Sequence, residues 1–166
     1  MIWQGLPATK VTIQQEVAMY RQILIPTDGS ELANKAVTHG IGLAKAVGAK
    51  VTVITVEQPF NVFDVPASRT NRMPEAFAQH AKQIKEHASK VLSEAAEAAK
   101  QAGVPCDVVQ VEQDQPHEAI IKTAKEKNCD AIVMASHGRS GISAVLLGSV
   151  TNKVLTHTNI PVVVCH

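Results

Sequence analysis

The chain has 166 residues, 45% of them hydrophobic and 3% aromatic, and a formal net charge of +1 at pH 7. This length suits a single domain with a core of Val, Ile, Leu and Ala. The balanced charge argues against nucleic acid as a main partner, and no apolar run approaches the roughly 18 residues of a membrane span.

The first 18 residues fall outside the pattern of the remaining chain. They contain no apolar signal core and no small-residue cleavage site, so we expect a cytoplasmic protein. We divide the chain into an N-terminal extension, residues 1–18, which we expect to be partly disordered, and one domain over residues 19–166. Cys106, Cys129 and Cys165 are scattered and odd in number, which favours reduced, buried thiols over disulfides or a zinc site.

Short β-rich runs alternate with helical patterns along the domain. The predicted strands are residues 21–26, 51–56, 106–112, 130–136 and 161–166. The first predicted helix ends at Gly48. After a long loop at 57–73, the second helix runs from Pro74 to Gly103, and the third begins at Pro116. The fourth helix begins between Ile142 and Ser149 and ends near His157. Apolar strands separated by helices predict an α/β domain, an open parallel five-stranded sheet with helices on both faces.

The last predicted strand is short and very apolar. As an exposed sheet edge it would promote aggregation. The simplest protection is pairing with its own copy, so we expect a homodimer formed through residues 161–165.

A glycine-rich stretch, MASHGRSGISAVLLGSV at residues 134–150, directly follows the fourth predicted strand. Backbone N–H groups at a helix N-terminus hold phosphate well, and glycine lets the anion approach closely. The stretch contains neither a Gly-Lys-Ser/Thr phosphate loop nor a GxGxxG fingerprint. By itself it is equally compatible with a plain turn between a strand and a helix.

The segment PTDGS, residues 26–30, follows the first predicted strand in the same manner. Ligands of open α/β sheets bind beyond the carboxyl ends of the strands, where the strand order reverses. If the first and fourth strands are neighbours, PTDGS and the glycine-rich stretch face one crevice.

PTDGS, the glycine-rich stretch and the final PVVVCH together resemble the universal stress protein family over about residues 19–166. In the ATP-binding branch of that family the late motif is Gly, two residues, Gly, nine residues, then Gly-Ser or Gly-Thr. Gly138 and Gly148-Ser149 match this spacing, whereas Ala135 stands at the first glycine position. The resemblance implies a Rossmann-like sheet of strand order 3-2-1-4-5, as in adenine nucleotide alpha hydrolase-like folds, with the last strand pairing across a dimer.

The effect of Ala135 depends on the backbone conformation at that position. Alanine would be strained at a positive φ by roughly 1–2 kcal/mol. It would need room for one methyl group if only close approach mattered. In an ordinary β conformation it would be nearly neutral.

The resemblance also implies which residues contact the nucleotide. Residues after the first strand would lie near adenine and ribose, whereas the late glycines and the residues after them would contact ribose and phosphates through N–H groups. Arg139 would neutralise phosphate charge by forked hydrogen bonds. The full predicted set is Pro26, Thr27, Asp28, Val53, Met134, Ala135, His137, Gly138, Arg139, Gly148, Ser149 and Val150.

Several of these residues also fit purely structural roles. Asp28 could accept a local hydrogen bond that caps the first helix, for which we expect Ser30 to be the N-cap, and Ser149 could be the N-cap of the fourth helix. The remaining structural alternatives are core packing for Val53 and Met134, a solvated loop position for Arg139, and a hydrogen-bonded structural role for His137.

These observations predict an ATP-binding universal stress protein, a nucleotide-responsive regulatory module in stress tolerance, with Mg²⁺ or Mn²⁺ bound through the phosphates. Binding would order residues 57–73 or 139–147 and change a surface for protein partners. One alternative is a dimeric interaction protein whose loop does not admit phosphate because of Ala135. Another is a slow ATPase or phosphotransfer protein that uses Arg139, His137 and a metal ion. No Ser-His-Asp order or carboxylate pair indicates an enzyme.

Overall fold

The computed structural model describes residues 19–59, 73–138 and 147–166, and in these ranges strands and helices alternate. The strands are β1 (Gln22–Pro26), β2 (Lys50–Glu57), β3 (Cys106–Glu112), β4 (Ala131–Ala135) and β5 (Val162–Cys165). The helices are α1 (Glu31–Val47), α2 (Met73–Ala102), α3 (Pro116–Glu126) and α4 (Ser149–His157). Every predicted strand is confirmed to within a residue at either end. The predicted N-terminal extension and most of the predicted loops at 57–73 and 139–147 lie outside the described residues.

The five strands are parallel and form one sheet in the order β3-β2-β1-β4-β5, which confirms the predicted order. Ile23 in β1 pairs with Val51 of β2 on one side and with Ala131 of β4 on the other. The chain therefore builds outward from β1 to β3 and then crosses to the opposite side of β1 for β4 and β5. Since the strand order reverses between β1 and β4, a ligand crevice is expected beyond their carboxyl ends.

Helices cover both faces of the sheet, as predicted. Ile23, Ile25 and Val53 pack with side chains of α1 and α2 on what we call the α1–α2 face. Leu24 and Ile54 pack with side chains of α3 and α4 on the α3–α4 face. Neighbouring strand residues fall into different clusters because successive side chains of a strand point to opposite faces. Each cluster is a continuous apolar layer, and together they hold the carboxyl ends of β1, β2 and β4 in place.

The ends of α1 follow directly from the residues that flank it. Ser30 Oγ accepts a hydrogen bond from the N–H of Ala33 at 3.2 Å, which confirms Ser30 as the N-cap. At the other end Gly48 adopts a φ of 71°, and its N–H donates to the carbonyl of Ala44. Because this left-handed conformation strains residues that carry a Cβ, glycine ends the helix at little energetic cost.

The three cysteines are free thiols, as predicted. Cys129 and Cys165 are buried, whereas Cys106 is only half-buried, so the prediction of burial is wrong for Cys106. Among the helices that the structure describes, none combines the length and apolar character needed to cross a bilayer.

The thiol of Cys129 makes stability depend on pH in the alkaline range. Burial raises its pKa from 9.0 to about 11, and the charge of Asp130 adds to the increase. Between these two values the unfolded chain releases a proton that the folded chain keeps, so the free energy of unfolding falls as the pH rises. We expect this thiol to lower it by about 2 kcal/mol over that range.

Urea unfolding of the wild type and of Cys129→Ala, each at about pH 8 and about pH 11, isolates this contribution. The two proteins share all other titrating groups, so only the difference between their pH dependences reports on the thiol. The variant is expected to lose less stability than the wild type on going to the higher pH. Identical losses in the two proteins would contradict the raised pKa.

Candidate functional site

A cavity of about 870 Å³ opens at the carboxyl ends of β1, β2 and β4, at the point where the strand order reverses. The helix α2 forms one wall, and the first turn of α4 forms another. Both sequence segments singled out above reach it, as predicted. The members of the predicted set that line the cavity are Pro26, Thr27, Asp28, Met134, Ala135, His137, Gly138, Gly148, Ser149 and Val150.

The PTDGS segment is a chain of short hydrogen-bonded turns that leads from β1 into α1. Thr27 donates its N–H to the carbonyl of Ile54 at 2.9 Å, which ties the segment to β2. Its hydroxyl accepts from the N–H of Gly29 at 3.2 Å, and Asp28 Oδ1 accepts from the N–H of Ser30 at 2.9 Å. Asp28 therefore performs the local capping role that we gave as its structural alternative, while its side chain remains at the cavity wall.

Gly138 lies directly against the carboxylate of Asp28. A Cβ at Gly138 would lie 2.6 Å from Asp28 Oδ2, well inside contact distance. The two loops thus meet at this pair, and any larger residue at 138 would force the Asp28 carboxylate to move. This contact joins residues more than a hundred positions apart, and the sequence motif alone did not predict it.

The first turn of α4 lies at the cavity wall. Gly148 is the N-cap, and the residues that follow it, Ser149, Val150 and Thr151, all line the cavity. The N–H of Gly148 donates to the carbonyl of Ser136 at 2.8 Å, and the hydroxyl of Thr151 donates to the carbonyl of Ala135 at 2.9 Å. These two bonds fix the helix end to the end of β4. A glycine cap has no side chain to accept from the first-turn amides, so they can donate to an anion.

The interpretation of Ser149 as the N-cap of the fourth helix is wrong. The cap is Gly148, one residue earlier, and Ser149 is the first helical residue. A Cβ at Gly148 would lie 3.1 Å from the carbonyl oxygen of Ser136 and 3.3 Å from the Cα of His137. The tight backbone crossing at this point therefore selects glycine for the cap, although serine is otherwise a preferred N-cap residue.

Ala135 occupies an ordinary extended position at the end of β4. Among the non-glycine residues of the described ranges, only Asn128 has a positive φ. The Ala135 methyl packs in the cluster of the α1–α2 face, whereas α4 packs on the opposite face of the sheet. Alanine is therefore unstrained at this position, and the case of a positive φ does not apply.

The apolar surface of the cavity differs in part from the predicted one. Met134 is almost fully buried in the α3–α4 cluster and also lines the cavity, so its two proposed roles are compatible. Val53 is fully buried in the core of the α1–α2 face and is not among the described residues of the lining. Val56, three positions further along β2, lines the cavity instead. Val53 thus follows its structural alternative.

The charged groups of the site are distributed unevenly. His137 lines the cavity, and its Nδ1 lies 3.2 Å from Ser136 Oγ, in keeping with the structural role given as its alternative. Arg139 lies outside the described residues. In the described part of the lining there is no lysine or arginine, while Asp28 and Glu57 carry carboxylates. Among the described residues of the cavity wall, the positive end of the α4 helix dipole is therefore the feature that attracts an anion.

Two groups of lining residues were missed by the sequence analysis. One face of α2 contributes residues that recur every three or four positions over three turns: His80, Gln83, Ile84, His87, Ala88 and Val91. The helical spacing of Ile84, Ala88 and Val91, extended to the polar positions between them, would have found this stripe. The second is Thr55 in β2, which is buried at the cavity wall. No sequence signal distinguishes it from the neighbouring Thr52.

The described residues form no ready-made metal site. In the described ranges there is no group of three or more His, Cys, Asp or Glu side chains arranged to hold a metal ion.

Known proteins resemble this chain both in sequence and in fold. The model of the universal stress protein family matches residues 19–166. The universal stress protein YxiE of Bacillus subtilis is 31% identical over 147 residues, which cover 88% of this chain and 99% of YxiE. The solved structure of MJ0577 from Methanocaldococcus jannaschii has a TM-score of 0.69 at 29% identity and covers 89% of this chain and 96% of MJ0577.

A universal stress protein solved in complex with cAMP gives a TM-score of 0.65 at 27% identity, covering 89% of this chain and 98% of that protein. The family match spans nearly all of the domain, and the sheet has the strand order that the resemblance implied. The chain belongs to the universal stress protein family.

Proposed function

We propose that this protein binds ATP in the cavity and acts as a nucleotide-responsive regulatory module. The observation that carries the proposal is the first turn of α4, which lines the cavity and whose cap, Gly148, has no side chain to accept from its amides. Helix N-termini of this kind are natural phosphate sites. A relative of similar fold is described as a complex with cAMP, an adenine nucleotide, which supports the choice of ligand class.

The positions of the lining residues support one direction for the nucleotide. The phosphates would lie at the amides of Ser149, Val150 and Thr151, beside the end of β4. The cavity then crosses β1 and reaches the end of β2, two strand spacings or roughly 10 Å away. The apolar side chains of Val56 and Met134 line it between these ends and offer surface to a base.

Mg²⁺ or Mn²⁺ would enter the site with the nucleotide. Since the described residues contain no ligand cluster, the phosphates themselves would be the principal ligands of the ion. The protein would then hold the complex mainly through backbone N–H groups. We propose binding rather than turnover as the main activity, because the Nδ1 of His137 is engaged by Ser136 Oγ and not by a carboxylate that would activate a base.

The proposed assembly is a homodimer paired along β5. This strand is an edge of the sheet, and the side chain of Val163 is 42% exposed. A second copy would cover that apolar edge and complete its backbone hydrogen bonds. Each dimer would then contain two nucleotide-binding cavities.

Calorimetric titration with ATP and magnesium, on the wild type and on Ala135→Gly, tests the proposed function. We expect micromolar affinity in both proteins, equal within about twofold, because the Ala135 methyl packs on the sheet face opposite α4. Binding that appears only in Ala135→Gly would identify a dimeric interaction protein whose loop excludes phosphate. Absence of binding in both would overturn the proposal.

A further inference from the structure

Thr55 carries a buried hydroxyl without a hydrogen-bond partner. The residue lies near the end of β2, is 4% exposed and lines the cavity. Its Oγ1 is the one buried side-chain nitrogen or oxygen in the described ranges that has no partner. A neighbouring threonine of the same strand shows the usual arrangement, since the fully buried Thr52 accepts a hydrogen bond from Gln22 Nε2 at 2.8 Å.

An unpartnered buried hydroxyl weakens the folded state, because it gave up its bonds to water and gained none in exchange. Valine has nearly the same shape and would fill the position without this loss. The hydroxyl is therefore unfavourable in the free protein and becomes favourable only when another molecule supplies the missing partner. Because Thr55 belongs to the cavity wall, a ligand of the cavity is the molecule placed to supply that partner.

The strand order decides which part of the ligand can reach Thr55. The phosphate-binding amides lie beside β4, and β1 separates β4 from β2. Thr55 is thus roughly 10 Å from the phosphate end, by two strand spacings. On the α2 side the lining alternates apolar side chains, Ile84, Ala88 and Val91, with the polar side chains His80, Gln83 and His87. A wall that combines apolar surface with hydrogen-bonding side chains, and has no lysine or arginine among its described residues, suits the planar ring of a nucleoside with polar edge atoms better than a phosphate.

We propose that the Thr55 hydroxyl hydrogen-bonds the nucleoside portion of the bound nucleotide and is a specificity-determining residue of this cavity. The inference rests on the proposed function and adds a contact that the family motif does not contain. The two ends of the cavity then recognise different parts of the nucleotide. The end at α4 binds phosphate through backbone amides, and the end at β2 binds the nucleoside through a side chain.

Thr55→Val tests this proposal, with Thr52→Val as the matched control in the same strand. Three probes are titrated by calorimetry with magnesium present: ATP, adenosine and tripolyphosphate. We expect Thr55→Val to bind ATP and adenosine about threefold to tenfold more weakly than the wild type and to bind tripolyphosphate equally well. Without ligand, Thr55→Val is expected to melt about 2–4 °C higher than the wild type, whereas Thr52→Val melts lower and keeps its affinities.

The outcomes separate this inference from the function on which it rests. If the wild type binds no ATP, the proposed function itself fails. If the wild type binds ATP and Thr55→Val binds it equally well, only the role of Thr55 is overturned. An equal loss of affinity for tripolyphosphate and adenosine would also overturn it, as would a lower melting temperature of Thr55→Val, since that would mean the hydroxyl is already satisfied in the free protein.

Discussion

Replacing Gly29 by alanine is expected to lower the free energy of unfolding by about 2–5 kcal/mol, the sum of backbone strain and overpacking. Gly29 lies in PTDGS with a φ of 78°, and a Cβ there would lie 2.6 Å from Val91 Cγ2 and 3.2 Å from His87 Nε2. The first contact is with the branched, buried side chain of α2, which cannot move aside without shifting the helix. Alanine at 29 therefore separates α2 from the loop that it packs against.

Gly48→Ala and Gly103→Ala are matched controls for this prediction. Both glycines have nearly the same φ, 71° and 75°, but a Cβ at either position would meet nothing within 4 Å. Each control should cost about 1–2 kcal/mol, the strain of the left-handed conformation alone. Urea unfolding of the three variants then gives the packing contribution by difference. If Gly29→Ala were no worse than the controls, α2 would not be held against PTDGS as the structure shows.

The strands and most helix ends could be predicted because their signals are local. Apolar runs bounded by polar residues gave β1 and β2, and glycines in the left-handed conformation end α1 and precede β3. The start of α4 was predicted only as a range from Ile142 to Ser149. It is fixed by the tertiary hydrogen bond from the N–H of Gly148 to the carbonyl of Ser136, which has no local sequence signature.

The candidate site was predictable in its motifs and not in its details. The cavity is lined by consecutive residues from both sides of β2 at its carboxyl end, among them Thr55 and Val56, and Val53 lies too far back along the strand to reach it; how far the cavity extends along β2 depends on how the helices cover the sheet. Likewise, Thr52 and Thr55 look alike in VTVITV, and only the fold gives one of them a partner. Long-range contacts, such as that between Asp28 and Gly138, decide these questions.

Gly148→Ala is expected to weaken ATP binding about tenfold or more. A methyl group at 148 would press on the carbonyl oxygen of Ser136, 3.1 Å from the Cβ position, and this oxygen belongs to backbone that is itself bonded to β5. One side of this contact must give by a few tenths of an ångström, and because β5 holds the Ser136 backbone we expect the helix end and its first-turn amides to move. Overpacking costs about 1–3 kcal/mol. If this energy destabilises the conformation that binds ATP, the affinity falls by about this factor.

Gly42→Ala is the control, since Gly42 is exposed in α1 and a Cβ there would meet nothing within 4 Å. It should keep full affinity and gain a little stability, because alanine is the better helix residue. The decisive comparison is between ligands, by calorimetry. Gly148→Ala should lose affinity for ATP and tripolyphosphate and keep its affinity for adenosine, the reverse of the pattern expected for Thr55→Val. If both variants lost all three ligands equally, the cavity would not have a phosphate end and a nucleoside end, and the orientation proposed for the nucleotide would be wrong.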